Sequence, residues 1–221
     1  MTTLGPYDLN TIITGDAREL AKAIPDESVD LIFTDPVYDR IDDYRWLAET
    51  AARVLKPDSA CLVWIHSRLI AESIVAMSAL NFRWPLILFK ATFTGGKLVG
   101  KNILSKSNIC LWMQKGKITP NKILWDVSIG YVLNKYTKSN HRWTKDPSTI
   151  ERWIDSFTNP NATILDPFTG GGTVPAVCKM LHRNYLAFEI DPATADMARK
   201  RVAETQPPLP IVYHEQMELL T

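Results

Sequence analysis

Two short loops in this sequence carry the residue types that chemistry on a bound ligand needs. Asp35-Pro36-Val37-Tyr38 follows the apolar run Val29–Thr34, and a glycine-rich segment, residues 166–173, follows the apolar run 162–165. Short runs of apolar and β-branched residues that close on an acid and a proline are typical of buried strands. In an open α/β sheet, ligands bind outside the carboxyl ends of the strands. Both loops are therefore predicted to lie at a ligand-binding edge.

The glycine-rich segment has two other conventional interpretations. It reads Asp166-Pro167-Phe168-Thr169-Gly170-Gly171-Gly172-Thr173, and three glycines in a row suggest phosphate or dinucleotide binding. Pro175, however, occupies the place of the third glycine of Gly-x-Gly-x-x-Gly, and no Gly-Lys-Thr follows as in a Walker loop. Nicotinamide and ATP are therefore disfavoured as ligands.

The elements that must position these loops alternate along the chain. Strands are predicted over residues 11–14, 29–34, 60–65, 86–89, 109–113, 162–165 and 185–190, and helices over 17–23, 44–54, 68–78, 148–156, 173–181 and 193–202. Such alternation indicates βαβ units and a parallel sheet. With 221 residues, 46% of them hydrophobic, the chain is long enough to bury a core as one domain over residues 1–221.

The formal net charge of +1 conceals a strong asymmetry. Residues 83–145 contain twelve basic side chains and one acid, Asp126, whereas the remainder has thirteen basic and twenty-three acidic ones. A polyanion such as nucleic acid is the natural partner of so basic a segment. Tryptophans and tyrosines are interleaved with it, and exposed aromatic faces stack on bases. We expect the individual tryptophans to lie in the core. The charge asymmetry as a whole, in contrast, is not explained by lysines that merely face solvent.

Other classes of protein are disfavoured by composition. The three cysteines, Cys61, Cys110 and Cys178, form no Cys-x-x-Cys pair and fall in apolar strands or a helix, so they are expected in the core. The four histidines have no ligand spacing, and no metal site is expected. Without a leader-like start or an apolar run of membrane-spanning length, we expect a cytoplasmic protein that makes no contact with a membrane.

Taken together, the motifs resemble those of the DNA amino-methyltransferases, which use S-adenosylmethionine to methylate the exocyclic amine of adenine or cytosine. Residues 35–38 resemble the catalytic Asp-Pro-Pro-Tyr motif, and residues 166–173 resemble the cofactor motif Asp-Pro-Phe-x-Gly-x-Gly-Thr. Because the catalytic motif comes first, the chain resembles the permuted β class. Weaker matches, in the family's order, are residues 13–17, 107–117, 141–147 and 188–192. The resemblance implies a Rossmann-like three-layer sandwich whose sheet is mostly parallel with one reversed strand.

The resemblance also implies roles for individual residues. Asp35, Pro36 and Tyr38 match the catalytic motif. The residues matched to cofactor binding are Asp16, Lys145, Asp166, Phe168, Gly170, Gly172, Thr173, Glu189 and Asp191. Glu189 ends a strand where a carboxylate can accept both ribose hydroxyls. Lys145 is equally well explained as a solvated or DNA-facing lysine.

The expected chemistry is direct transfer to an amine whose lone pair is delocalised into the base. If the Asp35 carboxylate and the Pro36 carbonyl each accept one amine hydrogen, the nitrogen is reshaped and its lone pair turned towards the methyl donor. The base must first leave the duplex, and Tyr38 supplies a face that holds it. Val37 replaces the usual second proline but leaves the Pro36 carbonyl in place. It is interpreted as a variation on an active site, with a degenerate site as the alternative.

The sequence therefore predicts an adenine-specific DNA methyltransferase of the kind found in restriction-modification, with duplex DNA as its partner. Adenine is preferred because cytosine-amino enzymes of the family more often have serine in place of Asp35; cytosine-N4 methylation is the runner-up. Two further hypotheses stay open: a catalytically inactive DNA-binding relative, and an enzyme that methylates RNA or a small molecule.

DNA recognition is expected within residues 91–140, a short region for this family. Because this region is short, we expect a short recognition sequence in the DNA, a homodimer whose second subunit contributes to recognition, or loose sequence specificity. The predicted DNA-binding residues are Lys90, Lys97, Lys101, Lys135, Lys138 and Arg142.

Overall fold

The computed structural model describes residues 3–90, 105–130 and 147–207. Its strands are β1 (Thr3–Leu4), β2 (Tyr7–Asp8), β3 (Thr11–Thr14), β4 (Val29–Thr34), β5 (Leu55–Ile65), β6 (Asn81–Lys90), β7 (Ser107–Lys115), β8 (Val127–Gly130), β9 (Thr163–Asp166) and β10 (Asn184–Glu189). Its helices are α1 (Ala17–Leu20), α2 (Ile41–Val54), α3 (Ile70–Ala76), α4 (Pro147–Phe157), α5 (Thr173–Met180) and α6 (Pro192–Glu204). Single 3-10 turns cover Ala21–Ala23 and Ser67–Leu69.

Eight strands form one sheet in the order β3-β10-β9-β4-β5-β7-β6-β8, and β1 and β2 form a separate small hairpin. β3, β10, β9, β4 and β5 pair in parallel, β7 is antiparallel to both β5 and β6, and β8 is parallel to β6. β7 is thus the reversed strand, as predicted. Because β4 and β9 are neighbours and run in the same direction, their two loops emerge side by side.

Helices cover both faces of the sheet, which gives the three layers. Leu47 and Val54 of α2 pack on one face together with Ile32 of β4. Trp153 of α4 packs on the other face against Leu31 and Phe33 of the same strand. A strand covered on both faces needs apolar side chains in both directions, which explains why 29–34 reads as a nearly continuous apolar run.

Most predicted elements are present, with shifted ends. α2 begins at Ile41 rather than Tyr44, β5 at Leu55 rather than Ala60, and β6 at Asn81 rather than Leu86. The hairpin and β8 were not predicted. β8 is four residues long and half exposed at the end of the sheet, so its sequence lacks the apolar run that identifies a buried strand.

The expectation that the tryptophans of the basic segment lie in the core is wrong for two of them. Trp112 on β7 is buried, but Trp84 is 50% exposed and Trp125 69% exposed. Trp84 lies on β6, and Trp125 lies two residues before β8 begins; β6 and β8 are the two strands at one end of the sheet. The sheet's helices leave that end partly open.

Cys61, Cys110 and Cys178 are buried and carry free thiols. Within residues 3–90, 105–130 and 147–207, no group of three His, Cys, Asp or Glu side chains is arranged to hold a metal ion. No helix in these ranges is long and apolar enough to span a membrane.

Candidate active site

The glycine loop after β9 is fixed to its neighbours by backbone hydrogen bonds. The Thr169 N–H donates to the Phe188 carbonyl of β10 at 3.0 Å, and the Gly172 N–H donates to the Thr169 carbonyl at 2.9 Å. Gly172 has φ of +73°, and a Cβ at this position would lie 2.8 Å from the Ala198 Cβ of α6. Glycine is therefore required there both for conformation and for close packing.

Gly170 differs from Gly172 because it faces open space. Its φ is +50°, yet a Cβ there would meet no atom within 4 Å. The backbone at Gly170 is thus open to the close approach of a ligand.

Glu189 lies beside Gly170, at the end of β10. Its Oε2 accepts from the Gly170 N–H at 2.9 Å, and its Oε1 accepts from the Asp191 N–H at 2.9 Å. The side chain is partly exposed. Each carboxylate oxygen retains a lone pair after one hydrogen bond, so Glu189 can still accept two ligand hydroxyls.

The loop that carries the predicted catalytic motif, Asp35-Pro36-Val37-Tyr38 (the catalytic loop), follows β4, adjacent to β9. Pro36 is buried, Asp35 is partly exposed, and Val37 is 56% exposed. The Arg40 N–H donates to the Val37 carbonyl at 3.1 Å, which turns the chain into α2. Val37, the departure from the usual motif, is thus at the surface of the loop, where a branched side chain meets no core constraint.

Tyr38 is held against the acid of its own motif. Burial, followed by the charge of Asp35 and a hydrogen bond to that carboxylate, raises the pKa of Tyr38. The phenol therefore remains protonated at neutral pH. Its ring meets the His66 ring edge to face, with 5.9 Å between centroids.

One side chain connects the two loops. The Thr34 hydroxyl donates to Asp166 Oδ1 at 2.7 Å and accepts from the Phe168 N–H at 3.2 Å. Asp166 is 2% exposed, so it lies behind the loop rather than on its open surface. Burial raises the pKa of Asp166 to about 7, although the bonds from Thr34 and Phe168 favour its ionised form.

Three other predicted cofactor residues are at the same edge but are engaged locally. Asp16 accepts from the Arg18 N–H at 2.8 Å and caps α1, and Asp191 accepts from the Thr194 N–H at 2.8 Å and caps α6. The Thr173 hydroxyl accepts from Arg201 Nη1 at 2.7 Å. Their contact with a cofactor stays a prediction.

Few of the predicted DNA-binding residues belong to the described part of the chain. Lys90 ends β6, which runs parallel to β5, and so lies at the same edge of the sheet as the two loops. Lys97, Lys101, Lys135, Lys138 and Arg142, and the cofactor candidate Lys145, lie outside the described residues. Two lysines of the basic segment are ion-paired instead: Lys115 with Glu27 and Lys122 with Asp155.

Sequence reasoning missed two aromatic neighbours of the loops. His66 follows β5, the strand beside β4, and its Nδ1 accepts from the Arg68 N–H at 3.2 Å. Trp46 of α2 meets Phe168 edge to face at 5.6 Å. The position of His66 directly after a predicted central strand was a usable signal, whereas Trp46 was indistinguishable from other apolar helix residues.

Comparison with known proteins agrees with this geometry. The family model described as DNA methylase matches residues 29–200. The type II methyltransferase M.HinfI of Haemophilus influenzae is 29% identical to this chain, over an alignment that covers 90% of this chain and 70% of M.HinfI. The DNA adenine methyltransferase YhdJ of Escherichia coli K12 is 27% identical, with 88% and 83% covered.

Solved structures share the architecture. The crystal structure of the M1.HpyAVI–SAM complex superposes with a TM-score of 0.74 at 25% identity, covering 87% of this chain and 98% of that one. The cytosine-N4-specific PvuII DNA methyltransferase superposes with a TM-score of 0.72 at 17% identity, covering 86% and 85%, and supports the fold alone. With its family model matched over most of its length and its two motif loops side by side, the chain belongs to the DNA methylase family of N6/N4 methyltransferases, whose cofactor is S-adenosylmethionine.

Proposed function

We propose that this protein transfers a methyl group from S-adenosylmethionine to the exocyclic amine of adenine in DNA. The observation that carries the proposal is the juxtaposition of the Asp35-Pro36-Val37-Tyr38 loop with the glycine loop at the ends of adjacent strands, joined by the 2.7 Å hydrogen bond between Thr34 and Asp166. One loop offers acceptors for an amine, and the other leaves open space at Gly170 for a cofactor.

The residues around Gly170 fit S-adenosylmethionine. Open space at Gly170 lets the backbone approach the ligand, and the two oxygens of Glu189 suit vicinal ribose hydroxyls. Phe168 is partly exposed and contacts Trp46, and its ring offers an apolar surface to the cofactor. When bound, the cofactor supplies an electrophilic methyl group on a sulfonium.

The protein's own part in the reaction is to orient the amine. The Asp35 carboxylate and the Pro36 carbonyl each accept one hydrogen of the exocyclic NH₂, which withdraws the nitrogen lone pair from the ring and fixes its direction. Asp35 then stabilises the positive charge that develops on the nitrogen and can accept the proton that leaves. Tyr38, kept protonated by burial beside Asp35, presents its ring to the flipped base.

Adenine is favoured by Asp35 itself and by the similarity to YhdJ, a DNA adenine methyltransferase. Cytosine N4 is the second candidate, because the same acceptors suit its amine.

DNA as substrate is supported by charge. The segment 83–145 contains twelve basic residues and one acidic residue. Lys90, at the end of β6, lies at the same edge of the sheet as the two loops. Phosphate contacts by lysines of this segment would fix the protein on the duplex without reading its sequence.

The decisive experiment supplies methyl-labelled S-adenosylmethionine with duplex DNA, single-stranded RNA or free nucleosides, and identifies the labelled nucleoside by mass spectrometry. We expect N6-methyladenine from DNA and none with the Asp35→Ala variant. Label in N4-methylcytosine would establish the second candidate, and label in RNA alone would overturn the DNA assignment. Cofactor binding without any transfer would identify an inactive relative.

A further inference from the structure

The buried hydroxyl of Thr34 links the two loops at a point where the backbone no longer does. The paired positions of β4 and β9 are Leu31 with Ile164 and Ile32 with Leu165. Beyond them, at Thr34 and Asp166, the connection runs through side chains. Thr34 directly precedes the catalytic Asp35, and Asp166 begins the glycine loop.

The Thr34 hydroxyl both donates and accepts a hydrogen bond in this link. It donates to Asp166 Oδ1 at 2.7 Å and accepts from the Phe168 N–H at 3.2 Å, which touches the glycine loop at two points. The other bond available to Phe168 N–H, to Asp166 Oδ1, is longer at 3.4 Å. The hydroxyl is therefore the better acceptor for this N–H.

Water cannot replace this hydroxyl. Thr34 is 1% exposed and Asp166 is 2% exposed, so a side chain of the same shape without the oxygen leaves the Asp166 carboxylate without its shortest hydrogen bond. An unsatisfied buried polar group is costly, and the loops are expected to shift in order to satisfy it. Any shift changes the separation of the two loops, because Thr34 is one peptide bond from Asp35.

We propose that Thr34 is a positioning residue that sets the distance between the amine acceptors of the catalytic loop and the glycine loop. The inference rests on the proposed function, since it concerns the alignment of an amine with a methyl donor. The rate of transfer depends steeply on how the reacting groups are aligned, and a displacement of about 1 Å can lower the rate by about a hundredfold. Thr34 touches neither reactant, so its effect is on the transfer step rather than on binding.

The test compares Thr34→Val, which keeps the shape and removes the hydroxyl, with Thr34→Ser, which keeps the hydroxyl. Single-turnover transfer to DNA is measured together with cofactor affinity by calorimetry. We expect Thr34→Val to slow transfer by about tenfold to a hundredfold, with cofactor affinity changed by less than about threefold. Thr34→Ser should recover the rate to within about threefold of wild type.

Thr34→Ala provides a second variant without the hydroxyl if Thr34→Val does not fold, and thermal unfolding of each variant monitors the fold. Equal rates for wild type and Thr34→Val would overturn the coupling, as would equal losses in the Ser and Val variants. A loss in Thr34→Val explained entirely by weaker cofactor binding would also overturn it. Wild-type transfer in the same assay tests the proposed function separately, because it does not depend on any Thr34 variant.

Discussion

The two halves of the sheet carry different parts of the proposed activity. In the parallel half, β3, β10, β9, β4 and β5 present the catalytic loop, the glycine loop and Glu189 at one edge. In the other half, β7, β8 and most of β6 lie within the basic segment, and this half includes exposed aromatic side chains such as Trp84. In the proposed function, the buried, hydrogen-bonded half carries out the chemistry, and the half that the helices leave partly open binds the DNA substrate.

The sharpest way to test this division is to remove Asp35. Asp35→Ala should reduce methyl transfer by roughly a thousandfold or more, because the lost acceptor acts mainly while the amine is being reshaped. Cofactor affinity and thermal unfolding should stay near wild type. Rapid-quench kinetics with labelled cofactor measures the loss, and turnover at the wild-type rate would refute the proposed role of Asp35.

A second test uses the buried acid of the glycine loop. Because burial raises the folded-state pKa of Asp166 to about 7, its stabilising contribution is complete below the unfolded value near 4 and is lost as pH rises through about 7. Asp166→Asn removes this titration. Between pH 4 and about 7, the free energy of unfolding of wild type should therefore fall relative to that of the variant, by up to about 4 kcal/mol at about 1.4 kcal/mol per pKa unit. Urea unfolding at several pH values measures the difference.

Asp191→Asn is the matched control for Asp166. Hydrogen bonds from Thr194 lower the pKa of the exposed Asp191 carboxyl. Its contribution is therefore present above the unfolded value and lost as pH falls, which is the opposite sign. A wild-type stability curve parallel to that of Asp166→Asn between pH 4 and 7 would contradict the assignment.

Glu189 tests the cofactor side of the parallel half. Glu189→Ala removes the acceptor for the Gly170 and Asp191 N–H groups as well as for the ribose, so cofactor affinity should fall by roughly fiftyfold, the equivalent of one or two charge-assisted hydrogen bonds. Glu189→Gln keeps one carbonyl acceptor and should lose less. Calorimetry showing unchanged affinity in both variants would place the ribose elsewhere.

The two glycines of the cofactor loop should respond differently to alanine. Gly172→Ala adds a Cβ 2.8 Å from that of Ala198 at positive φ and should destabilise the fold by about 2 kcal/mol. Gly170→Ala meets no protein atom, so it should cost about half as much in stability but weaken cofactor binding. Denaturation and calorimetry of both variants check this contrast, and equal losses of stability would contradict it.

The smallest expected effect concerns DNA capture. Replacing Lys97, Lys101 and Lys135 with alanine should weaken DNA binding by about tenfold and flatten the dependence of log affinity on log salt, which is about 0.9 per phosphate contact. Cofactor affinity without DNA should be unchanged. Fluorescence anisotropy over a salt series measures the slope.

A matched triple variant removes the same charge elsewhere. Lys22, Lys56 and Lys200 each pair with a carboxylate, on Glu19, Asp30 and Glu204 respectively. Their replacement by alanine should leave the salt slope near that of wild type. Identical slopes for wild type and both triple variants would mean that the basic segment is a solvated surface.

The site could be predicted from sequence where a motif ends a buried strand. Asp35 and Asp166 were placed correctly at one edge because apolar runs identify central strands and parallel strands end together. The Thr34–Asp166 bond was not predictable, since it depends on β4 and β9 being neighbours although 132 residues separate the partners. β8 was missed because a short strand at the end of a sheet is not buried on both faces and carries no strong pattern.

The order of strands has a consequence for how the protein is made. Residues before 91 contribute β3, β4, β5 and β6, and residues after 104 contribute β7, β8, β9 and β10, interleaved across the sheet. β3 finds its neighbour, β10, near the other end of the sequence. Contacts so distant along the chain form slowly, and synthesis delivers the amino-terminal half first. The growing polypeptide therefore contains Asp35 before the glycine loop has been made, and we expect a chain that stops before residue 166 to be unable to transfer a methyl group.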